Sequence, residues 1–179
     1  MQKENPLTLK TELRQALHLK RKNISSHRRA EASQSMVQKF ENEERVLSFS
    51  SFGTEIDLWP LNRVLASRGS LYLPRIEGND LFAYRITDPE QLVPNHYGIF
   101  EPNPDLCIKV SLSEIGLILV PGLGFDSNRF RLGYGKGHYD RFLKEDPNLV
   151  TIGVGFLEQK VDSIPSDPWD IPVKSLCLL

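Results

Sequence analysis

Residues 120–143, VPGLGFDSNRFRLGYGKGHYDRFL, combine glycines and cations at spacings that suit anion binding. This segment holds five of the twelve glycines, and three of them alternate with other residues from Gly133 to Gly137. Arg131 and Lys136 lie among them. Glycine lets the backbone approach an anion closely, its N–H groups donate, and a helix N-terminus adds partial positive charge. The segment therefore predicts a phosphate pocket between a strand and a helix.

The glycine segment matches none of the common phosphate or catalytic templates. A P-loop needs Ser or Thr after its Gly-Lys pair, and here Gly137 follows Lys136. A dinucleotide fingerprint needs a third glycine where this chain has His138. GxSxG, HExxH and CxxC are absent from the sequence, which removes support for a serine hydrolase or a common zinc site.

Composition narrows the class of protein further. The chain has 22 basic and 23 acidic residues among 179, which argues against binding nucleic acid by bulk charge. The opening residues lack the apolar core of a signal peptide, and no apolar run approaches membrane-spanning length. Cys107 and Cys177 match no metal spacing and are expected to be buried, reduced thiols. We expect a single domain over residues 1–179, in a monomeric cytoplasmic protein with no membrane or nucleic-acid partner.

Apolar periodicity predicts three helices before the glycine segment. The first contains Leu9 to Leu17 with Thr8 as its N-cap. The second runs from about Ser26 to Arg45, and the third covers Ile56–Ser67, with Gly69 near its C-terminal cap.

Short apolar runs between these helices predict strands. They are Val46–Phe49, Ser70–Leu73 (ended by Pro74), Asp80–Ile86 (paired with the previous strand across a Gly78-Asn79 turn), Ile115–Val120 and Thr151–Phe156. Helices alternating with buried strands are typical of an α/β fold with a mostly parallel sheet covered on both faces.

With its flanks, the glycine segment resembles the 5-formyltetrahydrofolate cyclo-ligase family, also called methenyltetrahydrofolate synthetases. Within the segment, the resemblance rests on Pro121-Gly122, Phe125-Asp126, Arg131-Leu132-Gly133, Gly135, Gly137 and Tyr139-Asp140-Arg141. Outside it, the motifs are Lys10-x-x-Leu13-Arg14, Glu55-Ile56-Asp57, Leu73-Pro74-Arg75, Gly98-Ile99-x-Glu101-Pro102 and Pro165…Asp170-Ile171-Pro172-Val173. Together these motifs cover nearly the whole chain.

The resemblance implies an enzyme that uses ATP and Mg²⁺ to convert 5-formyltetrahydrofolate to 5,10-methenyltetrahydrofolate, releasing ADP and phosphate. It also implies a three-layer α/β/α fold like that of sugar-phosphate isomerases and CoA transferases. Two alternatives stay open: a folate- or nucleotide-binding module without turnover, and an isomerase or transferase acting on a sugar phosphate with the same fold.

The resemblance also assigns site residues. The expected ATP-binding set is Lys10, Arg14, Arg131, Gly133, Tyr134, Gly135, Lys136, Gly137, His138 and Tyr139, with His138 serving as loop packing. The catalytic set is Glu55, Lys136 and Tyr139, and the folate contacts are Glu55, Tyr97 and Tyr139. Asp140 and Asp170 are the candidate metal ligands, since Mg²⁺ favours carboxylate and phosphate oxygens.

Structural roles compete with several of these assignments. Carboxylates such as Glu55 and Asp140 commonly cap the first turn of a helix, and Asp170 suits a simple turn. Lys10, Arg14 and Arg21 follow one helical stripe, for which spacing alone favours solvated side chains. The resemblance reverses that expectation for Lys10 and Arg14, whereas Arg21 is expected to stay in solvent.

Four positions depart from the family pattern. Arg129 replaces a usual glycine, His138 a usual aromatic residue, Leu58 a frequent threonine, and Trp169 a usual histidine. The changes at Leu58 and Trp169 bear on the folate side and on the surroundings of the metal.

Overall fold

The computed structural model describes residues 6–179, so the first five residues of the opening segment lie outside it. The helices are α1 (Pro6–Lys22), α2 (Ser26–Phe40), α3 (Trp59–Ser67) and α4 (His138–Lys144). The strands are β1 (Val46–Leu47), β2 (Leu71–Glu77), β3 (Asp80–Ile86), β4 (Leu92–Pro94), β5 (Phe100–Pro102), β6 (Ile108–Val110), β7 (Leu117–Pro121), β8 (Gly124–Asp126), β9 (Arg131–Leu132), β10 (Thr151–Gly155), β11 (Lys160–Val161) and β12 (Ser175–Leu178).

A seven-stranded sheet in the order β12-β10-β7-β1-β2-β3-β6 forms the centre of the molecule. The strands from β12 to β2 run parallel to their neighbours, and β3 and β6 join antiparallel at one edge. The core strand β7 is buried along Leu117–Val120, as expected for a strand covered on both faces. The predicted α/β fold with a mostly parallel sheet is confirmed.

Alternate side chains of the sheet enter two separate cores. Val46 and Leu119 pack into the core that α2 and α3 cover. Leu47 and Ile118 point to the opposite face, where Phe142 of α4 covers them. Successive residues of a strand face opposite sides of a sheet, so this division gives the three-layer α/β/α arrangement.

Several predicted boundaries are wrong. Thr8 lies inside α1 rather than capping it, α2 ends at Phe40 rather than Arg45, and α3 begins at Trp59 rather than Ile56. The strand expected to end before Pro74 continues to Glu77. Beyond Tyr72, β2 pairs with β3 but no longer with β1. The edge of β2 that faced β1 is therefore unpaired at Pro74, where a residue without an N–H is tolerated.

A second, three-stranded sheet in the order β11-β8-β9 takes two of its strands, β8 and β9, from the glycine segment. Helix α1 covers it through Leu17, which packs with Leu123, Leu132 and Ile164. A Cβ at Gly124 would lie 2.5 Å from Leu17 Cδ1, so the contact requires glycine there. The expected order of strand, glycine loop and helix thus contains an additional hairpin, and α1 lies close to the glycines.

Candidate active site

The glycine loop, defined here as residues 133–137, connects β9 to α4. Gly135 and Gly137 have φ angles of 90° and 66°, which L-residues with a Cβ rarely adopt. No backbone N–H of this loop donates to an acceptor among residues 6–179. Tyr134, Gly135 and Lys136 are exposed. The loop therefore presents a series of unused donors at the surface, as an anion cradle requires.

Helix α1 delivers two cations to this region. Arg14 Nε donates to the Gly133 carbonyl oxygen at 2.9 Å, which places the guanidinium beside the loop. Lys10 Nζ lies 2.7 Å from Asp167 Oδ2 and 3.0 Å from Asp170 Oδ2. Burial lowers the pKa of Lys10, but the hydrogen bonds and charges of the two aspartates outweigh that effect and raise it. Lys10 is thus a fixed, charged side chain.

Arg131 and Tyr139 form a buried polar pair beside the loop. The Arg131 side chain is only 5% exposed, and its Nη2 lies 3.0 Å from Asp140 Oδ2. Its guanidinium carbon lies 5.2 Å from the centre of the Tyr139 ring. Arg131 Nη1 and the Tyr139 hydroxyl are buried without a hydrogen-bond partner among the described residues. Buried donors without partners are costly, so these two atoms are the strongest sign of a missing ligand.

Glu55 faces this pair from the segment between β1 and α3. Its Oε2 accepts from the Phe52 N–H at 3.0 Å. Burial raises the pKa of Glu55 above its ordinary value, opposed by that hydrogen bond and by the charge of Arg21. Burial likewise raises the pKa of Tyr139, with Arg131 opposing and the charge of Glu55 adding. The charge of Glu55 acts on Tyr139, so the acidic segment lies near the glycine loop.

A cleft of about 610 Å³ opens beside Glu55, between α2 and the segment leading to α3. Phe52 and Trp59 supply apolar surface, and Arg29 and Asp57 supply charge. The Trp59 ring meets Phe100 edge to face, with centroids 6.2 Å apart. A cleft with aromatic walls and a half-buried carboxylate suits a flat heterocycle with polar edges.

Arg21 is the functional residue that sequence reasoning placed wrongly. Expected in solvent, it is 1% exposed. It donates to Thr54 Oγ1 at 2.9 Å and to the Tyr134 hydroxyl at 2.8 Å. The one available signal was its position four residues after Leu17, on the apolar face of α1.

Three other predicted site residues lie at the surface or at the end of the loop. Tyr97 is 67% exposed and stacks on His96, with ring centroids 3.8 Å apart. Lys136 is exposed, and its ammonium pairs with no acidic residue that the structure describes. His138 Nδ1 lies 2.8 Å from the Asn79 carbonyl oxygen in the turn between β2 and β3. His138 therefore joins the end of the loop to that hairpin.

The two candidate metal ligands lie on segments that contact each other. Asp140 Oδ1 accepts from the Ile171 N–H at 3.3 Å, which brings it beside the peptide that follows Asp170. Asp140 also pairs with Arg131, and Asp170 with Lys10. No group of three or more His, Cys, Asp or Glu side chains among residues 6–179 has the arrangement of a metal site. Mg²⁺ commonly uses only one or two carboxylates together with phosphates, so this pair fits such an ion.

The departures from the family pattern fall in different environments. Leu58 is fully buried in the core beneath α3, and therefore cannot line the cleft. Trp169 is 65% exposed next to Asp170. Arg129 has a φ of 67°, in the left-handed region that favours the usual glycine.

Fold and site together define an α/β protein with an exposed glycine loop and a half-buried carboxylate nearby. The model of the 5-formyltetrahydrofolate cyclo-ligase family matches residues 7–178, and the chain belongs to that family.

Named relatives and a solved structure agree with this membership. The chain is 35% identical over 138 residues to 5-formyltetrahydrofolate cyclo-ligase of Escherichia coli K12, covering 73% of this chain and 75% of the relative. The enzyme of the same name from Mus musculus is 30% identical over 184 residues, 92% of this chain and 89% of the relative. The structure of Aquifex aeolicus 5,10-methenyltetrahydrofolate synthetase superposes with a TM-score of 0.81 at 36% identity, covering 94% of this chain and 88% of that one.

The cysteines and the helices bear on two further predictions from the sequence. Cys107 and Cys177 are both free thiols, the first buried and the second half-buried. Within residues 6–179, none of the helices is both apolar enough and long enough to span a bilayer.

Proposed function

We propose that this chain catalyses the ATP- and Mg²⁺-dependent conversion of 5-formyltetrahydrofolate to 5,10-methenyltetrahydrofolate, with release of ADP and phosphate. One observation carries the proposal. The glycine loop offers backbone N–H donors without acceptors among the described residues, directly beside the unpartnered buried atoms of Arg131 and Tyr139. An anion at this loop meets cations and donors that are already in place, which is what phosphoryl transfer asks of a protein.

The phosphates of ATP bind along the glycine loop. Its N–H groups and Arg14, which is held at Gly133, contact the oxygens from the α1 side. Lys136 is an exposed, unpaired cation that moves onto the phosphates as they bind. Arg131 reaches them with Nη1, the donor left without a partner. Arginine grips two oxygens in a fixed geometry, whereas lysine supplies a mobile point charge.

Asp140 and Asp170 hold Mg²⁺ when nucleotide is bound. Their oxygens are the type that Mg²⁺ prefers, and they lie beside the loop. An ion held there would neutralise phosphate charge. Lys10, which now pairs with Asp170, then lies within the same group of charges.

The folate lies between the cleft and Tyr139, with its formyl group near Glu55. The formyl oxygen is a poor leaving group, and its phosphorylation by ATP removes that obstacle. The folate N10 then attacks the formyl carbon, phosphate leaves, and the ring closes. Glu55 accepts the N10 proton, and Tyr139 turns its free hydroxyl to the reacting groups. Tyr97 contacts a more distant part of the folate.

The alternative functions have less support. A sugar-phosphate isomerase or transferase needs a second acid–base pair near the loop, and Glu55 is the carboxylate there that burial perturbs. A module without turnover has no need to retain Arg131, Tyr139 and Glu55 around unpartnered buried atoms. Both alternatives also fit the family and its named relatives less well than the enzyme does.

An absorbance assay of the product and a folate-binding titration together separate these functions. The methenyl product is followed after adding 5-formyltetrahydrofolate with MgATP, with Mg²⁺ alone, and without protein. Product that requires both protein and ATP supports the cyclo-ligase. Saturable folate binding without product supports the inactive module. A protein that neither binds folate nor forms product supports the sugar-phosphate isomerase or transferase.

The Lys136→Ala variant tests the division of the site into a nucleotide side and a folate side. We expect the KM for ATP to rise about tenfold or more, as loss of a charged contact to phosphate implies, with less than twofold change in folate affinity. Lys144→Ala, an exposed lysine at the end of α4, is the matched control and leaves both constants unchanged. An equal loss of ATP and folate affinity in a folded Lys136→Ala protein contradicts the division. A cytoplasmic location, a monomeric state and a single-domain organisation stay predictions from the sequence.

A further inference from the structure

Arg21 is a buried cation whose acceptors are all neutral. Its side chain donates through Nε to Thr54 Oγ1, through Nη1 to the Gly122 carbonyl oxygen at 3.3 Å, and through Nη2 to the Tyr134 hydroxyl. No carboxylate among residues 6–179 forms an ion pair with it. Burying a charge without a direct ion pair is unfavourable, and an apolar side chain would fill the same space at lower cost.

A second cation increases that cost. Arg29 of α2 donates to the Thr54 carbonyl oxygen at 2.9 Å and to the Arg21 carbonyl oxygen. Burial, followed by the charge of Arg21, lowers the pKa of Arg29. Two arginines therefore lie on either side of Thr54 although they repel each other. Such an arrangement indicates a role for Arg21 beyond stabilising the fold.

Two of the three acceptors of Arg21 belong to the two halves of the site. Thr54 precedes Glu55 in the acidic segment, whereas Tyr134 lies in the glycine loop. Arg21 lies on neither segment but on α1, which packs against the small sheet. Its planar guanidinium has a fixed donor geometry, so contacts with both segments fix their relative position.

We propose that Arg21 is a positioning residue that holds the Glu55 segment and the glycine loop together, so that folate and nucleotide strengthen each other's binding. The proposal rests on the function proposed above. Tyr134 is 62% exposed while its hydroxyl bonds Arg21, so this hydroxyl links the loop to Arg21. A ligand bound to one segment restrains that segment, and Arg21 passes the restraint to the other, so the second ligand loses less conformational entropy on binding.

The Tyr134→Phe variant tests the coupling because it keeps the ring and removes the acceptor of Arg21. A non-hydrolysable ATP analogue with Mg²⁺ is titrated by calorimetry into the free protein and into protein saturated with 5-formyltetrahydrofolate. We expect folate to tighten nucleotide binding about tenfold in the wild type, a typical coupling between sites. In Tyr134→Phe this factor, which compares two affinities of the same variant, falls below about twofold. Tyr84→Phe, which removes a hydroxyl bonded to Glu77 instead, keeps the full coupling.

Two substitutions at Arg21 separate the effect of its charge from the effect of its hydrogen bonds to both segments. The ionisable and charged groups around Glu55 are Arg21 of α1, Arg29 of α2 and Tyr139 of α4. Arg21→Met removes a cation that favours ionised Glu55, so the acidic limb of kcat/KM against pH moves to higher pH. Arg21→Lys keeps the charge and leaves the limb in place, but one ammonium cannot reach both segments and the coupling is lost. A purely structural role lowers kcat/KM equally at every pH.

The outcomes distinguish this proposal from the proposed function. Wild-type protein that binds both ligands without coupling, or Tyr134→Phe and Arg21→Lys that keep it, overturns the positioning role and leaves the enzyme intact. Wild-type protein that turns over no folate overturns the enzyme itself. Melting temperatures verify folding, and an unfolded Arg21→Met still leaves the binding test with Tyr134→Phe decisive.

Discussion

Arg129 occupies a backbone conformation that costs an L-residue energy. Its φ of 67° occurs in the turn between β8 and β9, where Asp126 Oδ1 accepts from the Phe130 N–H at 2.9 Å. The buried Asp126 also accepts from the Ile164 N–H at 2.9 Å through Oδ2. Its carboxylate therefore holds the turn in shape, and Arg129 bears the resulting strain.

Comparing Arg129→Gly with Arg129→Ala measures that strain. Both variants lose the 3.0 Å hydrogen bond from Arg129 to the Lys174 carbonyl oxygen, so only the backbone preference differs. We expect Arg129→Gly to be more stable than Arg129→Ala by about 1 kcal/mol in urea unfolding, because the left-handed conformation costs a residue with a Cβ about 1–2 kcal/mol. At the exposed Arg68, where φ is −94°, the same pair is expected to reverse, with glycine less stable by about 0.5–1 kcal/mol. Equal stability of the two Arg129 variants contradicts the strain.

Glu55 predicts a pH dependence with a definite sign. Burial raises its pKa above the ordinary value of 4.5, and the proposed reaction needs the ionised form as proton acceptor. Activity is therefore present above the pKa and lost as pH falls through it. We expect the acidic limb of kcat/KM to lie above pH 4.5, which a pH series of the absorbance assay measures once the rate without protein is subtracted.

The Glu55→Gln variant isolates this group. It cannot accept the proton, so we expect kcat to fall by about 10²–10⁴-fold and the limb to disappear. Glu145→Gln, at the exposed end of α4, serves as the control with an unchanged profile. A limb that persists in Glu55→Gln assigns the titration to another group.

At the scale of elements, the glycine loop depends on its own backbone and on α1. Gly135 has a φ of 90°, and a Cβ there would lie 3.3 Å from Arg14 Nη2. A side chain at this position therefore strains the loop and moves the guanidinium that bonds Gly133. Helix and loop form one functional unit although they lie far apart in sequence.

Gly135→Ala is expected to weaken binding of MgATP about tenfold, since backbone strain of about 1–2 kcal/mol opposes the loop conformation that binds phosphate. Calorimetric titration of the ATP analogue measures this loss. Gly69→Ala introduces similar strain at a φ of 69° far from the loop, where the added Cβ meets Arg85 at an ordinary 3.5 Å. The control is expected to lose stability without losing nucleotide affinity, and equal affinities in both variants contradict a special role of Gly135.

Elements with a strong local signal were predictable from the sequence, and those defined by distant contacts were not. The apolar runs of β7 and β10 and the Gly78-Asn79 turn between β2 and β3 predicted these strands correctly, because burial and turn chemistry are local properties. Strands β8, β9 and β11 have two or three residues each, too few to show a period, and form only where α1 covers them. Arg21 was misplaced for the same reason, since its acceptors lie 33 and 113 residues away.

Across the whole molecule, α1 joins the beginning of the described chain to its end. Lys10 pairs with Asp167 and Asp170, which precede the edge strand β12. A similar pair, Arg131 with Asp140, lies at the start of α4. The proposed phosphate ligands are thus neutralised by the proposed metal ligands. We expect ATP and Mg²⁺ to separate these pairs together. ATP alone would leave the aspartates without partners, and Mg²⁺ alone would leave Lys10 and Arg131 without partners.

This exchange predicts that Asp140→Asn reduces the dependence of nucleotide binding on Mg²⁺. The variant removes the charge that neutralises Arg131, so ATP binds more tightly in EDTA, whereas the loss of a metal ligand weakens binding with Mg²⁺. We expect the ratio of the Kd in EDTA to the Kd with Mg²⁺ to fall about tenfold, because one charge-assisted contact changes in each condition. Calorimetry with and without Mg²⁺ measures the ratio, and the exposed Asp105→Asn keeps the wild-type value. If Asp140→Asn weakens binding equally in EDTA and in Mg²⁺, Asp140 supports the fold of the loop and does not exchange Arg131 for Mg²⁺.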